Sequence, residues 1–299
     1  MNLAPIVLFA YNRPWHTRQT LESLSKNYLA NESELIVYVD GPKAGASPEQ
    51  IENINKVRKL VKQQQWCKKL TVHISEKNQG LANSVIKGVT DTLKNFEQVI
   101  VVEDDMVFSP YFLQFMNEGL EKYKHTEEVI SVHGYCVPIE LSSPVFFLRG
   151  ADCWGWATWR RGWDLFNPDA KYLLEELKRN ELQYSFDLNG NYSYTKMLQY
   201  QIGGKVDSWA IRWYASAFLN SKLTLYPSKS LVRNIGGDGS GIHTYDGRLI
   251  KEPLYKNKIH LADIPLFENE DAKLLICKYH YQNMGVKRRL KKWLKPRIT

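Results

Sequence analysis

The 299-residue sequence contains only four cysteines, Cys67, Cys136, Cys153 and Cys277, far apart and with neither a CxxC pair nor a zinc-type spacing. This excludes a disulfide scaffold and a structural zinc module, and it predicts free thiols in a reducing compartment, the cytoplasm. No stretch reaches the roughly eighteen apolar residues that a membrane-crossing helix requires. The apolar segment from Leu3 to Ala10 has no basic residues ahead of it and no small-residue cleavage site, and Pro5 interrupts it, so it is not expected to be a signal peptide. Internal repeats and low-complexity segments are absent. Disorder is excluded by the aromatic content of nine Trp, seventeen Tyr and eleven Phe.

The sequence also lacks a charge bias outside its last residues. Lys and Arg number 40 against 32 Asp and Glu, for a net charge of +8. Seven of those cations lie at Lys287, Arg288, Arg289, Lys291, Lys292, Lys295 and Arg297, and residues 287–299 contain no acid. Setting the seven aside leaves 33 basic and 32 acidic side chains, a neutral body that does not present a nucleic-acid surface. In the tail, Val286, Leu290, Trp293 and Leu294 recur at helical spacing between the cations. An amphipathic basic helix over 286–297 suits peripheral contact with an anionic membrane at its inner face, or a solvated helix packed on its own domain.

Short apolar runs at Ile6–Ala10, Leu35–Val39, Leu70–Ile74 and Val99–Val102 alternate with stretches of helical periodicity such as Thr20 to Tyr28 and Ile51 to Val61. That alternation predicts an α/β fold, a mostly parallel sheet flanked by helices. Each run is followed by polar residues: Tyr11-Asn12-Arg13, Asp40-Gly41, Glu76-Lys77-Asn78 and Glu103-Asp104-Asp105. Ligands of open parallel sheets bind beyond the carboxyl ends of the strands, so these clusters should meet in one cleft. After residue 106 helical spacing continues at Tyr111–Tyr123, Leu173–Leu182 and Trp209–Asn220, with a strand expected at Val129–Val132. The division expected is a 1–105 half for a nucleotide, a 106–260 half of the same domain for an acceptor, and a 261–299 extension carrying the basic tail.

Glu103, Asp104 and Asp105 directly follow a buried strand. Three adjacent carboxylates there lose water and repel one another unless a cation or a donor compensates. Mg²⁺ or Mn²⁺ would do so and keep open positions for phosphate oxygens. The bland alternative is a solvated acidic turn, with Ser109-Pro110 starting the next helix.

The string VVEDDMVFSPYFLQF resembles the metal-binding region of GT-A fold glycosyltransferases, in particular the N-acetylglucosaminyltransferase I group. PIVLFAYNRPWHTRQTLESL and VYVDGP are similar to the first and second strands of that domain. NQGLANSVIKGV resembles its next helix and the glycine-alanine segment of family 2 bacterial glycosyltransferases. The resemblance covers residues 5 to about 165. It implies a GT-A sheet and transfer, with inversion, from a nucleoside diphosphate-sugar, a UDP-sugar, to a hydroxyl of a surface glycan or lipid-linked oligosaccharide. It implies Asp105 as the metal ligand, Glu103 and Asp104 near the donor sugar or ribose, and Arg13 and Asp40 at the nucleotide. Tyr11, Asn12, Asn78 and Gly80 would line the same pocket.

The resemblance also implies a catalytic base in a WDDW-like string beyond the metal site. Its nearest counterpart is Lys205-Val-Asp207-Ser-Trp209, where Asp207 is the first choice and Asp152 and Asp238 are the fallbacks; the alternative is that Asp207 or Ser208 is only a helix N-cap. Trp154, Trp156, Trp159 and Trp163 would wall an acceptor site or pack in the core. Residues 236–243 hold four glycines in six positions without a P-loop ending, either a lid with His243 as a phosphate or metal contact or a plain surface loop. Two other functions are weighed against transfer. A sugar nucleotidyltransferase would carry a glycine-rich loop after the first strand, where Leu8 to Arg13 has none, and an inactive module would bind nucleotide without turnover.

Overall fold

The computed structural model describes residues 2–239 and 253–283, so His243 and the basic stretch 286–297 lie outside the described residues. In chain order come β1 (Ile6–Ala10), α1 (Pro14–Ser25), β2 (Glu34–Val39), α2 (Pro48–Val61), β3 (Lys69–Ile74), α3 (Leu81–Asn95) and β4 (Gln98–Glu103). A second series follows: β5 (Met106–Phe108), α4 (Phe112–Lys122), β6 (Val129–His133), β7 (Val145–Arg149), β8 (Trp156–Trp159) and α5 (Arg160–Trp163). The last elements are α6 (Ala170–Arg179), α7 (Gln183–Phe186), α8 (Tyr194–Ile202), α9 (Trp209–Leu219), β9 (Leu223–Pro227), β10 (Val232–Asn234) and α10 (Glu270–Asn283).

Eight strands form one sheet in the order β3-β2-β1-β4-β8-β6-β9-β7. The first four are parallel, β8 runs antiparallel to both β4 and β6, β6 and β9 are parallel, and β7 closes the edge antiparallel to β9. The expected α/β class with a mixed, mostly parallel sheet is therefore what forms. The pairing of Val101 with Trp156 and of Gln98 with Trp159 joins the two halves of the chain in a single sheet. The strands with weaker sequence signals, β7 to β9, are the ones that complete it.

Alternation along the strands sorts the core into two layers. Ile6, Leu8, Leu35, Val37, Ile100 and Val102 face α1, α2 and α4, whereas Val7, Phe9, Ile36, Val99 and Val101 face α3 and α9. Burial on both faces explains why β1 and β4 read as unbroken apolar runs. Local signals set the helix starts: Pro14 occupies the first turn of α1, and Ser47 with Gln50 forms a capping box at α2. The stretch after Asp105 is not simply the helix start that Ser109-Pro110 suggests. Met106–Phe108 first pairs with β10 in a separate two-stranded sheet, and this draws Gly236 back over the acidic triplet.

Candidate active site

A cavity of about 920 Å³ opens along the carboxyl ends of the strands. Its lining includes Tyr11, Asn12, Arg13, Asp40, Asn78, Gly80, Glu103, Asp104, Asp105, Asp152 and Asp207, whereas Asp238, the other fallback for the base, is not part of it. The parallel register brings the ends of β1 and β4 side by side, Phe9 opposite Glu103.

At its centre Arg13 Nη2 donates to Asp104 Oδ1 and, at 3.0 Å, to Asp105 Oδ2. The backbone amide of Tyr11 donates to Asp104 Oδ2 at 3.3 Å. The cation that the acidic triplet demands is thus supplied in part by the chain itself. Burial works against the Arg13 charge, but the two aspartates outweigh it and hold the guanidinium protonated above its ordinary range. Burial pushes Glu103 up to about 8, Asp105 and Asp104 add to the rise, and Arg13 opposes it. Asp105 is likewise raised by burial, against the pull of Arg13.

One atom in this cluster is uncompensated. Asp105 Oδ1 is buried and has no hydrogen-bond partner, although Arg13 holds Oδ2 of the same carboxylate. An orphaned carboxylate oxygen costs free energy that a ligand would recover. Among the described residues, no group of three or more His, Cys, Asp or Glu side chains is placed to hold a metal ion. A cation held here would therefore rest on one or two carboxylates, Asp105 first, with phosphate and water oxygens completing its shell. Gly236 belongs to the same cluster, since a Cβ there would lie 2.2 Å from Asp105 Oδ2.

Asp40 is a brace. Its Oδ1 accepts from the Gly41 and Gln79 amides at 2.8 Å each, and its Oδ2 from Asn78 Nδ2 at 2.9 Å and the Gly80 amide at 3.0 Å. Four donors fill the acceptor positions of a carboxylate. They pin the loop before α3, where Gly80 has φ +79°, a conformation suited to glycine. Asp40→Ala is expected to destabilise the fold by on the order of 2–4 kcal/mol in urea unfolding, because several partly buried donors lose their partner. Unchanged stability with lost nucleotide affinity would make Asp40 a direct nucleoside contact instead.

The two candidate bases have different neighbours. Ser208, not Asp207, caps α9, accepting from the Ile211 amide at 3.3 Å. Asp207 accepts from Arg212 Nη2 at 3.2 Å, and its Oδ2 comes within 4.0 Å of where a Gly80 Cβ would stand, on the Asp40 side of the cavity. Asp152 accepts from the Cys153 amide at 2.8 Å and stands 3.9 Å from Nε2 of the fully buried His133. Asp238 is 3.1 Å from His16 Nε2.

Of the four clustered tryptophans, only Trp154 lines the cavity. Trp156 and Trp163 are buried in a stack with Trp209 and Trp213, and Trp159 is buried beneath Arg161. Sequence reasoning missed the tyrosines of the cavity wall, Tyr135, Tyr192, Tyr194, Tyr214 and Tyr226, and the return of α10 to the cavity through Ile276 and Tyr279. Scattered tyrosines give no periodic signal, and only the sheet order gathers them.

No family model matches the chain, and no curated protein matches it. Among solved structures, the S. aureus TarS 1–349 structure is similar with 16% identity over 76% of this chain and 59% of that one, at a TM-score of 0.38. The same TarS fragment in complex with UDP-GlcNAc shares 17% identity over 45% of this chain and 37% of that one, at a TM-score of 0.28. A UDP-glucose pyrophosphorylase complexed with UDP-glucose shares 13% identity over 55% and 79%, at a TM-score of 0.30. The chain therefore spans less than two thirds of the length of either TarS structure. Among the described residues no helix is long and apolar enough to cross a membrane.

Proposed function

We propose that the protein is a GT-A type glycosyltransferase. It moves a sugar from a nucleoside diphosphate donor, a UDP-sugar, to a hydroxyl of a surface glycan or lipid-linked oligosaccharide, with inversion and with Mg²⁺ or Mn²⁺. The observation that carries this reading is the meeting of Arg13, Asp104 and Asp105 at the ends of β1 and β4, with Asp105 Oδ1 left without a partner. A cation held by Asp105 would supply positive charge for the departing diphosphate. The two bonds from Arg13 both leave from Nη2, so Nε and Nη1 remain to meet a phosphate.

The chain's own chemistry is a proton transfer. The acceptor oxygen bonds to the anomeric carbon as the bond from that carbon to the diphosphate oxygen breaks. The nucleoside diphosphate leaves with the bonding pair, and the hydroxyl proton passes to a carboxylate. We assign the base to Asp152 rather than Asp207, because Asp207 is tied to Arg212 and stands beside Gly80, whereas Asp152 lines the cavity and accepts from the Cys153 amide.

A thermal-shift panel of UDP, GDP, CMP and dTDP, each with Mn²⁺ and with EDTA, tests the donor half. Mass action raises the midpoint when a ligand binds the folded state. One nucleoside diphosphate is expected to raise it, with the shift lost in EDTA. No shift with any nucleotide overturns the reading, and nucleotide binding without transfer to any acceptor would identify an inactive binding module.

A further inference from the structure

The cavity does not stop at the strand ends that hold Arg13 and Asp105. β9 runs in the same direction as β4, and β7 returns antiparallel to it, with Val145 opposite Pro227 and Arg149 opposite Leu223 at the amino end of β9. Arg149 therefore lies at the end of the sheet opposite Glu103, roughly 13 Å along β7 from Val145 at about 3.3 Å per residue. Both Arg149 and Glu103 line the cavity, as do Leu148, Tyr214 and Ile276. We infer that Arg149 is an anion subsite, which takes a carboxylate or phosphate group on an elongated ligand lying along the cavity. Under the transfer reading that ligand is an acceptor glycan with an acidic group remote from the reacting hydroxyl; the subsite itself does not depend on that reading.

The guanidinium is fixed in place but only partly used. Its Nε donates to the Phe218 carbonyl at 2.8 Å, and its plane lies over the Phe218 ring at 4.2 Å. Phe218 is in the last turn of α9, so this one donor serves the end of that helix. The two terminal nitrogens make no hydrogen bond and no ion pair among the described residues. They leave free the planar fork that a carboxylate or a phosphate meets with two oxygens at once.

The carboxylate beside it is already taken. Glu268 Oε1 accepts from the backbone amide of Arg149 at 3.0 Å, and Glu268 Oε2 accepts from Lys273 Nζ at 2.5 Å. Glu268 thus holds the strand, and its charge is matched by Lys273 rather than by the guanidinium. Asp152, three residues further on, is turned to Nε2 of His133 at 3.9 Å.

The remaining polar neighbour does not supply a counter-charge either. The Tyr214 hydroxyl donates to the Phe186 carbonyl at 3.2 Å, and burial holds it protonated well above the ordinary tyrosine range. Burial lowers the proton affinity of Arg149, and Glu268 and Tyr214 oppose this only in part. A half-buried cation without a partner costs free energy that an arriving anion recovers.

The test follows the Arg149 Nε–H resonance by NMR on the full chain with isotope-labelled arginine, in UDP and Mg²⁺ so that the Arg13 end is occupied. Arg149→Lys identifies the resonance by its loss. The probes are methyl glucuronide, glucose 6-phosphate and, as the neutral control, methyl glucoside. The better-bound of the two acidic sugars is expected to move the resonance and to bind at least about tenfold more tightly than methyl glucoside, and its identity tells a carboxylate from a phosphate. Arg149→Gln is expected to remove that preference. A resonance that responds to neither acidic sugar, or a preference that survives Arg149→Gln, overturns the inference. Should Arg149→Gln fail to fold because α9 loses its cap, the wild-type resonance decides, since a capping role alone predicts no response to the acidic sugars. A response without UDP binding upholds the subsite and overturns the donor reading, and UDP binding without a response does the reverse.

Discussion

Asp152→Asn is expected to reduce sugar transfer by roughly two to four orders of magnitude while UDP binding in Mn²⁺ stays unchanged. Asparagine keeps the shape of the side chain and can still accept from the Cys153 amide, now 2.8 Å away, but it has no basic oxygen to take the acceptor proton. The loss should fall on kcat, because the substitution keeps the size of the side chain and leaves Arg13, Asp104 and Asp105 in place. The matching Asp207→Asn variant separates the two candidates. If Asp207→Asn is the inactive one and Asp152→Asn turns over normally, the base is Asp207 and the assignment to Asp152 is wrong.

Asp105→Ala is expected to abolish the Mn²⁺-dependent part of nucleotide binding and to lower transfer by on the order of a thousandfold, the effect of losing several kcal/mol of charge stabilisation at the diphosphate. The melting temperature should hold. Asp105 sits in the fold against a burial penalty that raises its pKa, so its removal relieves that penalty even as Arg13 loses one of two partners. Gly236→Ala provides an independent route to the same end. The new methyl group would stand 2.2 Å from Asp105 Oδ2, and either the carboxylate or the β10 turn must move. Isothermal titration of UDP with and without Mn²⁺ checks both variants. UDP affinity that is equal with and without the ion in the wild type, and unaffected by Asp105→Ala, would leave Arg13 as the sole counter-charge and remove the metal from the reading.

Residues that formed the left half of the sheet were legible because their burial leaves a local trace. Ile6–Ala10 is buried along its whole length, so the chain there has to be apolar at successive positions. The polar residues that follow each strand had to converge once the strands were parallel, which is why Arg13, Asp40 and the acidic triplet were found together. Their partners were less legible. A carboxylate at a strand end looks the same in sequence whether it braces a loop, as Asp40 does through four donors, or faces a ligand. Trp154 and Trp156 are two residues apart, yet one lines the cavity and the other is fully buried among Trp163, Trp209 and Trp213.

By itself, then, the sequence determined the α/β class, the strands β1 to β4 and the position of an acidic site at their ends, since periodicity and burial are local properties of the chain. The tertiary structure decided the rest. Arg13 and Asp105 are 92 positions apart and Asp152 and His133 are 19 apart, and no local pattern carries the knowledge that each pair meets. The tyrosines of the cavity have the same origin: β6, β9, α8 and α9 each bring one tyrosine or flank one, and only the strand order 4-8-6-9-7 gathers those separate side chains on one cavity.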